Sequence, residues 1–451
     1  MFLRFNSILA NLALIMMAVP VFGTEPFDGA PINYYTAAVD DPVSRLQKRI
    51  DAGEVTLHFD ERRQGYLASV LKELNVPVSS QMLVFSKTSF QRRYISPHAP
   101  RAVYFGDDMY VGWVQGGKVL EFSAADPRQG AIFYSLRQKP SGRVTFARHT
   151  HECTQCHAGS LTRGVPGHVI RSVYTAPDGM PLFGAGTFIS KHSSPLEKRW
   201  GGWYVTGTHG KHLHMGNLVV RNSDKIDELD FSTGANITDL DKLIDTTPYL
   251  SPHSDIVALM VAEHQTQMHN YITHAGFEGR IAIHYQKAIN KALKESDAYR
   301  SPGTLGRIAS AGDKLLKQML FVEETPLQGP IVGTSGFAAE FAKRGPFDSK
   351  GRSLRDFDLK TRMFKYPCSY QIYSESFDSL PPVVKQHVYR RLWEVLTGKE
   401  TGEEFTHLSG NDRKAILEIL LETKTGLPDY WKSDSVRKLN RHSSTNSDSA
   451  N

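Results

Sequence analysis

One short motif constrains this chain more than any other feature of its sequence. Two of its three cysteines lie in Cys153-Thr154-Gln155-Cys156-His157, within 451 residues. The pattern Cys-x-x-Cys-His is the attachment signature of a c-type heme. The two thiols bond to vinyl groups on the ring, and the adjacent histidine becomes the proximal iron ligand. The motif therefore predicts one covalent heme c, held by its two cysteines and its histidine.

Three other interpretations of the motif remain open. A zinc site would need a fourth ligand in addition to the motif, and His149, His151 or Cys368 could supply it. A redox-active cysteine pair would usually follow a strand and open a helix, as in the thioredoxin pattern. A disulfide between cysteines this close in sequence would be strained. Heme attachment is the favoured interpretation because the chain also carries an export signal.

The first 23 residues predict a secretory signal peptide. Arg4 precedes an apolar run from Ile8 to Val19, and Val21 and Gly23 lie where a signal peptidase would cleave. The run is short for a bilayer span, which needs about 20 residues, so an uncleaved anchor is the less favoured alternative. No later stretch is long and apolar enough to span a membrane. We expect an exported, periplasmic chain, in the compartment where bacterial c-type heme is attached.

The composition excludes several classes of protein. With 40% hydrophobic and 22% charged residues, the chain is typical of a globular protein and unlike a disordered or coiled-coil one. Its net charge of +6 is not concentrated in a basic stripe, so no nucleic-acid partner is expected. Three cysteines are too few for a disulfide scaffold.

The spacing of apolar residues changes along the chain and predicts an α+β fold. Helices are expected from Pro42 and after Asp60. Short apolar runs between Met82 and Arg148, with hairpin turns at 106–108 and 116–117, predict a small antiparallel sheet. From residue 238 the pattern is mainly helical, and the predicted helices are 238–245, 254–274, 278–296, 304–321, 380–397 and 411–423. The stretch 326–367 is rich in glycine and proline and is expected to be a long loop.

These patterns divide the chain into five parts. They are a signal peptide (1–23), a helical and β-rich region (24–148), a c-type heme-binding region (149–235), a mainly helical region (236–432) and a polar, serine-rich tail expected to be disordered (433–451).

Several residues are candidates for completing the iron site. The carbonyl of Pro166 is expected to accept a hydrogen bond from the proximal histidine, since such a bond usually orients this ligand. Met215 is the first candidate for the sixth iron ligand and His264 is the second. Two alternatives remain. The sixth position is open, or one of three further histidines is the ligand. Those histidines are His209, His212 and His214.

Other residues near the motif have expected roles around the ring. Arg163, Arg171 and Arg199 are candidate partners for the heme propionates. Trp200 and Trp203 could pack against the porphyrin or relay electrons. Alternatively, the three arginines are surface charges and the two tryptophans are core residues. Cys368 has no partner in the sequence and is expected to be a buried, inert thiol.

Several longer phrases resemble a family of large exported bacterial proteins with a single c-type heme motif. They are YFGDDMYVGWVQGGKVLEF, CTQCH, RWGGWYVTGTHGKHLHMGN, LMVAEHQTQMHN and MFKYPCSYQIYSESFDSLP. The resemblance spans roughly residues 80–430 and implies covalent heme and membership of the broad cytochrome c superfamily. It implies no substrate. Because β-like sequence leads into the motif where a small cytochrome c has a helix, a simple small cytochrome c fold is not expected.

Three functions follow as expectations. The first is electron transfer to an unidentified redox partner protein. The second is a heme peroxidase or oxygenase, in which Glu263 or His264 would be the distal acid or base. The third is a zinc-containing or structural envelope protein without heme. Sequence favours the first.

Overall fold

The computed structural model describes residues 27–140 and 142–432. Within these residues an antiparallel sheet is combined with helices, so the predicted α+β class is confirmed. The fold is not that of a small cytochrome c. The predicted signal peptide and the predicted C-terminal tail lie outside the described residues.

Two short helices begin the described chain, as expected. Helix α1 (Pro42–Asp51) has Asp41 as its N-cap, and the Asp41 side chain accepts hydrogen bonds from the backbone N–H groups of Val43 and Ser44. This cap satisfies donors that the first helical turn leaves free. Helix α2 (Leu67–Glu73) follows.

A six-stranded antiparallel sheet comes next, with its strands in chain order. The strands are β1 (Met82–Val84), β2 (Arg101–Phe105), β3 (Met109–Trp113), β4 (Val119–Asp126), β5 (Gly130–Arg137) and β6 (Phe146–His149). The predicted hairpin turns fall between β2 and β3 and between β3 and β4. One face of this sheet packs with α1 and α2 in a hydrophobic core that includes Leu120, Phe122 and Ile132. The opposite face is more polar, and it faces the motif.

The motif occupies a short helix directly after the sheet. Helix α3 (His151–His157) begins two residues after the end of β6. Long helices are missing from the described stretch between α3 and residue 255, which contains β7 (Arg171–Val173), β8 (Thr187–Ile189) and β9 (Gly207–Thr208).

The predicted helix at 238–245 is wrong. Only one turn forms there, in which the backbone N–H groups of Leu243 and Ile244 donate to the carbonyl of Leu240. The side chains of Asp239 and Asp245 accept hydrogen bonds from the backbone two residues further on. Aspartate side chains in such turns compete with helical hydrogen bonds.

The C-terminal half is mainly helical. It contains α4 (Ile256–Leu293), α5 (Pro302–Met319), β10 (Val332–Gly333), α6 (Phe337–Ala342), α7 (Glu375–Asp378), α8 (Pro382–Leu396) and α9 (Gly410–Thr423). Strand β10 pairs with β9. The predicted long loop at 326–367 is interrupted by β10 and α6.

Helix α4 is one continuous helix where two were predicted. The helix continues through Gly276 and Gly279, and Gly279 has a packing role. A Cβ atom at Gly279 would lie 2.5 Å from Cγ2 of Val384, so the glycine lets α8 approach closely. No helix among the described residues is both long enough and apolar enough to cross a membrane.

The first half of α4 is buried from Ile256 to Asn270, yet many of its residues are polar. Buried polar groups in a stable protein need hydrogen-bond partners. We call the polar residues of this buried stretch, between Ile256 and Asn270, the buried row of α4. Their hydrogen-bond partners include residues of the sheet and of the segment that follows α3.

Candidate heme-binding site

Helix α3 presents the motif at the edge of the sheet. Cys156 is exposed, Cys153 is partly buried, and both are free thiols. Residues three and four apart share one side of a helix. Cys153, Cys156 and His157 therefore lie on the same side of α3, with at least one thiol open to solvent.

The side chain of His157 is held in one tautomer. Its Nδ1 donates to the carbonyl oxygen of Gly167 at 3.1 Å. Because a carbonyl oxygen only accepts, the proton is on Nδ1 and the lone pair is on Nε2. Burial lowers the pKa of His157, so the ring is neutral at pH 7. This is the form of histidine that binds a metal through Nε2.

The carbonyl that accepts from His157 belongs to Gly167, so the expectation for Pro166 is wrong. The two residues His157 and Gly167 are joined twice, since the Gly167 N–H also donates to the His157 carbonyl at 2.8 Å. The Pro166 carbonyl is turned toward the sheet, where it accepts from the Ala131 N–H at 3.0 Å. The prediction was one residue away from the observed acceptor.

Asn270, in the buried row of α4, fixes this segment from the other side. Its Oδ1 accepts from the His168 N–H, and its Nδ2 donates to the His168 carbonyl, both at 2.8 Å. A Cβ atom at Gly167 would collide with Asn270 Oδ1, so only glycine fits at this position. Asn270 is therefore a positioning residue for His157, acting through Gly167 and His168.

We expect Asn270→Leu to destabilise the protein by about 2–4 kcal/mol, because it leaves the buried N–H and C=O of His168 unpaired. Urea unfolding measures this loss. The imidazole NMR signals of His157 should also shift. Asn290→Leu is the control, since Asn290 is a fully buried residue of the same helix that binds the carbonyls of Ser296 and Tyr299 instead. A His157 shift of equal size in both variants would contradict the positioning role.

The polar face of the sheet forms a wall beside His157. The ring of Phe133 packs against His157 with centroids 5.0 Å apart. Arg101 and Glu121 form an ion pair at 2.7 Å, and their charges act on His157 in opposite directions. Gly112 leaves room for the Arg101 guanidinium over the sheet.

Arg101 also has an unused donor. Its Nε is buried and lacks a hydrogen-bond partner among the described residues. The sequence analysis missed Arg101 and Glu121. Strand alternation could have placed them on one face, but no sequence signal showed which face meets the motif.

His149 and His151 flank the motif, and each already has a neighbour. His149 Nε2 lies 2.7 Å from Ser135 Oγ, and its ring lies 6.1 Å from that of Phe90. Phe90 is 73% exposed. His151 lies over the ring of Tyr35, with centroids 4.2 Å apart.

These features fit a c-type heme. They are a solvent-open thiol, an exposed aromatic ring beside His149 and, among the described residues, a His157 Nε2 and an Arg101 Nε without hydrogen-bond partners. In the heme-bound protein, Cys153, Cys156 and His157 would hold the group.

The contacts of Met215 lie away from α3. Its Sδ accepts from Ser172 Oγ at 3.5 Å, and its backbone N–H donates to the Arg199 carbonyl. The rings of His209 and His214 are 4.8 Å apart. His212 Nε2 accepts from a backbone N–H.

His264 has a partner at each ring nitrogen. The Nε2 of His192 faces the Val322 carbonyl, so His192 Nδ1 carries the lone pair and accepts from His264 Nδ1 at 3.1 Å. His264 Nε2 then accepts from Ser369 Oγ at 2.7 Å. Burial holds the pKa of His264 well below its usual range. An iron at either nitrogen would have to replace one of these bonds.

Glu263 forms a fully buried ion pair with Arg199. Arg199 Nη1 donates to Glu263 Oε2 at 3.0 Å, and the two side chains are 3% and 0% exposed. Burial raises the pKa of Glu263 to about 7, while the Arg199 charge opposes the rise. Glu263 Oε1 is also buried, and Trp200 and Ser190 beside the carboxylate likewise oppose the rise in its pKa.

The three arginines proposed as propionate partners have partners within the protein. Arg199 binds Glu263. Arg163 lies over the ring of Tyr271, at 3.5 Å from its centroid. Arg171 Nε donates to Thr187 Oγ1 at 2.8 Å. Trp200 is fully buried, and Trp203 Nε1 donates to the Arg171 carbonyl at 2.8 Å.

The motif follows strand β6 and lies at the start of α3, which is the setting expected of a redox-active pair, but the pKa of Cys153 argues against that role. A reactive cysteine of this type has a lowered pKa, but burial, followed by the charge of Glu152, raises the pKa of Cys153 to about 11. Cys368 is fully buried, and burial raises its pKa to about 12. Over 27–140 and 142–432, no three His, Cys, Asp or Glu side chains are grouped so that they could hold a metal ion.

Comparisons with known proteins add no relative. No family model, curated protein or solved structure matches this chain.

Proposed function

We propose that this chain is an exported protein that carries one covalent heme c and transfers electrons to a redox partner protein. The observation that carries the proposal is the hydrogen bond from His157 Nδ1 to Gly167, which leaves Nε2 free on a Cys-x-x-Cys-His helix. When bound, heme supplies an iron that changes its charge by one electron.

The residues around the motif have distinct roles in this proposal. Cys153 and Cys156 bind the group covalently, and His157 is the proximal ligand. Phe133 shields one side of His157 from water. Arg101 offers the unused Nε as a donor to a propionate. Met215 is the first candidate for the sixth ligand and His264 the second, and either would have to give up the contacts described above to bind the iron.

Electron transfer needs the group close to the surface, where a partner can approach. The exposure of α3 supports this requirement, because His151, Glu152, Gln155 and Cys156 are all exposed. The hydrogen bonds at both ring nitrogens of His264 favour electron transfer over the peroxidase or oxygenase alternative. Membership of the broad cytochrome c superfamily and a periplasmic location are parts of the same proposal.

The test is an optical and EPR spectrum of the ferric and ferrous protein, made with the c-type heme maturation system, with and without carbon monoxide. We expect a low-spin spectrum that carbon monoxide does not change, because in the proposed carrier His157 and a second side chain would both bind the iron. A high-spin spectrum that responds to carbon monoxide would contradict the carrier role and favour the peroxidase or oxygenase alternative. A colourless protein would contradict heme binding itself.

The same spectra identify the sixth ligand. We expect Met215→Ala to turn the low-spin spectrum high-spin. Met319→Ala removes an equally buried methionine from α5 and should leave the spectrum low-spin. If only His264→Ala produces the high-spin form, and His192→Ala does not, the ligand is His264 and the proposal for Met215 is wrong.

A further inference from the structure

A second cleft lies on the other side of the Pro166–Gly167 segment. It is a small cleft, open to solvent, formed by the β4–β5 turn, the middle of α4 and the α7–α8 junction. Its polar lining residues are Arg128, Thr273, Arg280, Ser376 and Ser379. None of these residues belongs to the candidate heme site.

Two arginines in this cleft lack acidic partners. Among the residues that the structure describes, neither Arg128 nor Arg280 forms an ion pair. Arg280 donates to the Arg128 carbonyl and, at 3.4 Å, to the Gly276 carbonyl. Burial, and then the charge of Arg128, lower the pKa of Arg280 to about 10. Two positive charges close enough to act on each other, neither of them paired with a carboxylate, favour a bound anion.

One carboxylate, Asp126, acts on the cleft. It accepts from the backbone N–H groups of Asp40, Arg128 and Gln129, at 2.6, 2.8 and 2.8 Å, and so fixes the β4–β5 turn. Its charge favours the charged form of Arg280, but among the described residues it forms no ion pair with either guanidinium group.

Three hydroxyl groups complete the cleft. Over the described residues, the side chains of Thr273, Ser376 and Ser379 make no hydrogen bond with the protein. Hydroxyl groups can donate, and arginine donates in a fork that matches an oxyanion. The free groups of the cleft are thus mainly donors, which suits a ligand that only accepts hydrogen bonds.

We propose that this cleft binds a phosphate group through Arg128, Arg280 and the hydroxyls of Thr273, Ser376 and Ser379. The cleft is shallow, so it would contact only the phosphate group of a ligand. Free phosphate and a phosphate monoester both present this group. The remainder of a monoester would lie in solvent. This site goes beyond the proposed electron transfer and does not depend on heme.

The test is isothermal titration of the full-length protein, at constant low ionic strength, with inorganic phosphate, glycerol 3-phosphate and succinate. We expect one phosphate per chain. Arg280→Gln should weaken binding about tenfold or more, because it removes a charged donor. Arg128→Gln is the second variant, since its exposed side chain can be replaced without disturbing the fold. Arg307→Gln is the control, because Arg307 is already paired with Glu278.

The three ligands separate the possible sources. Tighter binding of glycerol 3-phosphate than of inorganic phosphate would assign the site to a monoester, and the reverse order to free phosphate. Equal binding of succinate would overturn phosphate recognition. The proposal would also be overturned by equal phosphate affinity in wild type and both cleft variants, or by no binding at millimolar phosphate.

Discussion

Replacing both motif cysteines, in Cys153→Ser/Cys156→Ser, is expected to abolish covalent heme attachment completely. The thioether bonds need both thiols, and no other cysteine lies near the motif. After denaturation, wild-type protein should keep its heme on a stained gel and in the mass spectrum, while the double variant should release all of it. Each single variant can form only one thioether and should retain less heme than wild type.

The third cysteine provides the matched control. Cys368 is fully buried, so Cys368→Ser should leave covalent heme unchanged even if it lowers stability. Retention of covalent heme by the double variant would contradict attachment through the motif. Loss of heme in Cys368→Ser but not in the double variant would do the same.

The second large effect is the loss of stability when the buried ion pair between Arg199 and Glu263 is broken. Arg199→Leu should lower the free energy of unfolding by about 3–5 kcal/mol, because Glu263 loses its counter-charge and must either stay charged in the core or take up a proton. The same substitution also removes hydrogen bonds from Arg199 to the carbonyls of His192 and Ser194. Urea unfolding measures the loss.

Two variants make this result specific. Arg199→Leu/Glu263→Leu should be more stable than Arg199→Leu alone, since no unpaired charge remains. Arg307→Leu breaks the partly exposed pair with Glu278 and should cost about 1 kcal/mol or less. If Arg199→Leu and Arg307→Leu cost the same, the buried pair has no special role in stability.

The pH dependence of the same pair has a definite sign. Burial raises the pKa of Glu263 from 4.5 to about 7, so the folded state binds a proton that the unfolded state has released between these values. The free energy of unfolding of wild type should therefore fall with rising pH over this window, relative to Glu263→Gln. A parallel pH profile in both proteins would contradict the raised pKa.

The sequence predicted features that depend on neighbouring residues. Asp41-Pro42 marked the start of α1 because a cap and a proline act within one turn. The turns at 106–108 and 116–117 marked hairpins for the same reason. The motif itself could be recognised in the sequence, because Cys156 and His157 lie three and four residues after Cys153.

Features that depend on distant contacts were missed. The acceptor for His157 is set by Asn270, which holds His168, and no local pattern distinguishes the carbonyl of Pro166 from that of Gly167. Arg101 and Glu121 come from separate strands, and only the folded sheet brings them beside the motif. Gly279 lies inside the predicted helix 278–296, and no local pattern indicated that it admits α8.

The clamp by Asn270 has a consequence for how the protein is made. In the proposed exported heme protein, the sheet and α3 would leave the export channel before α4, because they precede it in the chain. His157 and the two thiols would then be available before Asn270 could bind His168. Under that proposal, heme attachment would not require the clamp by Asn270 to be in place.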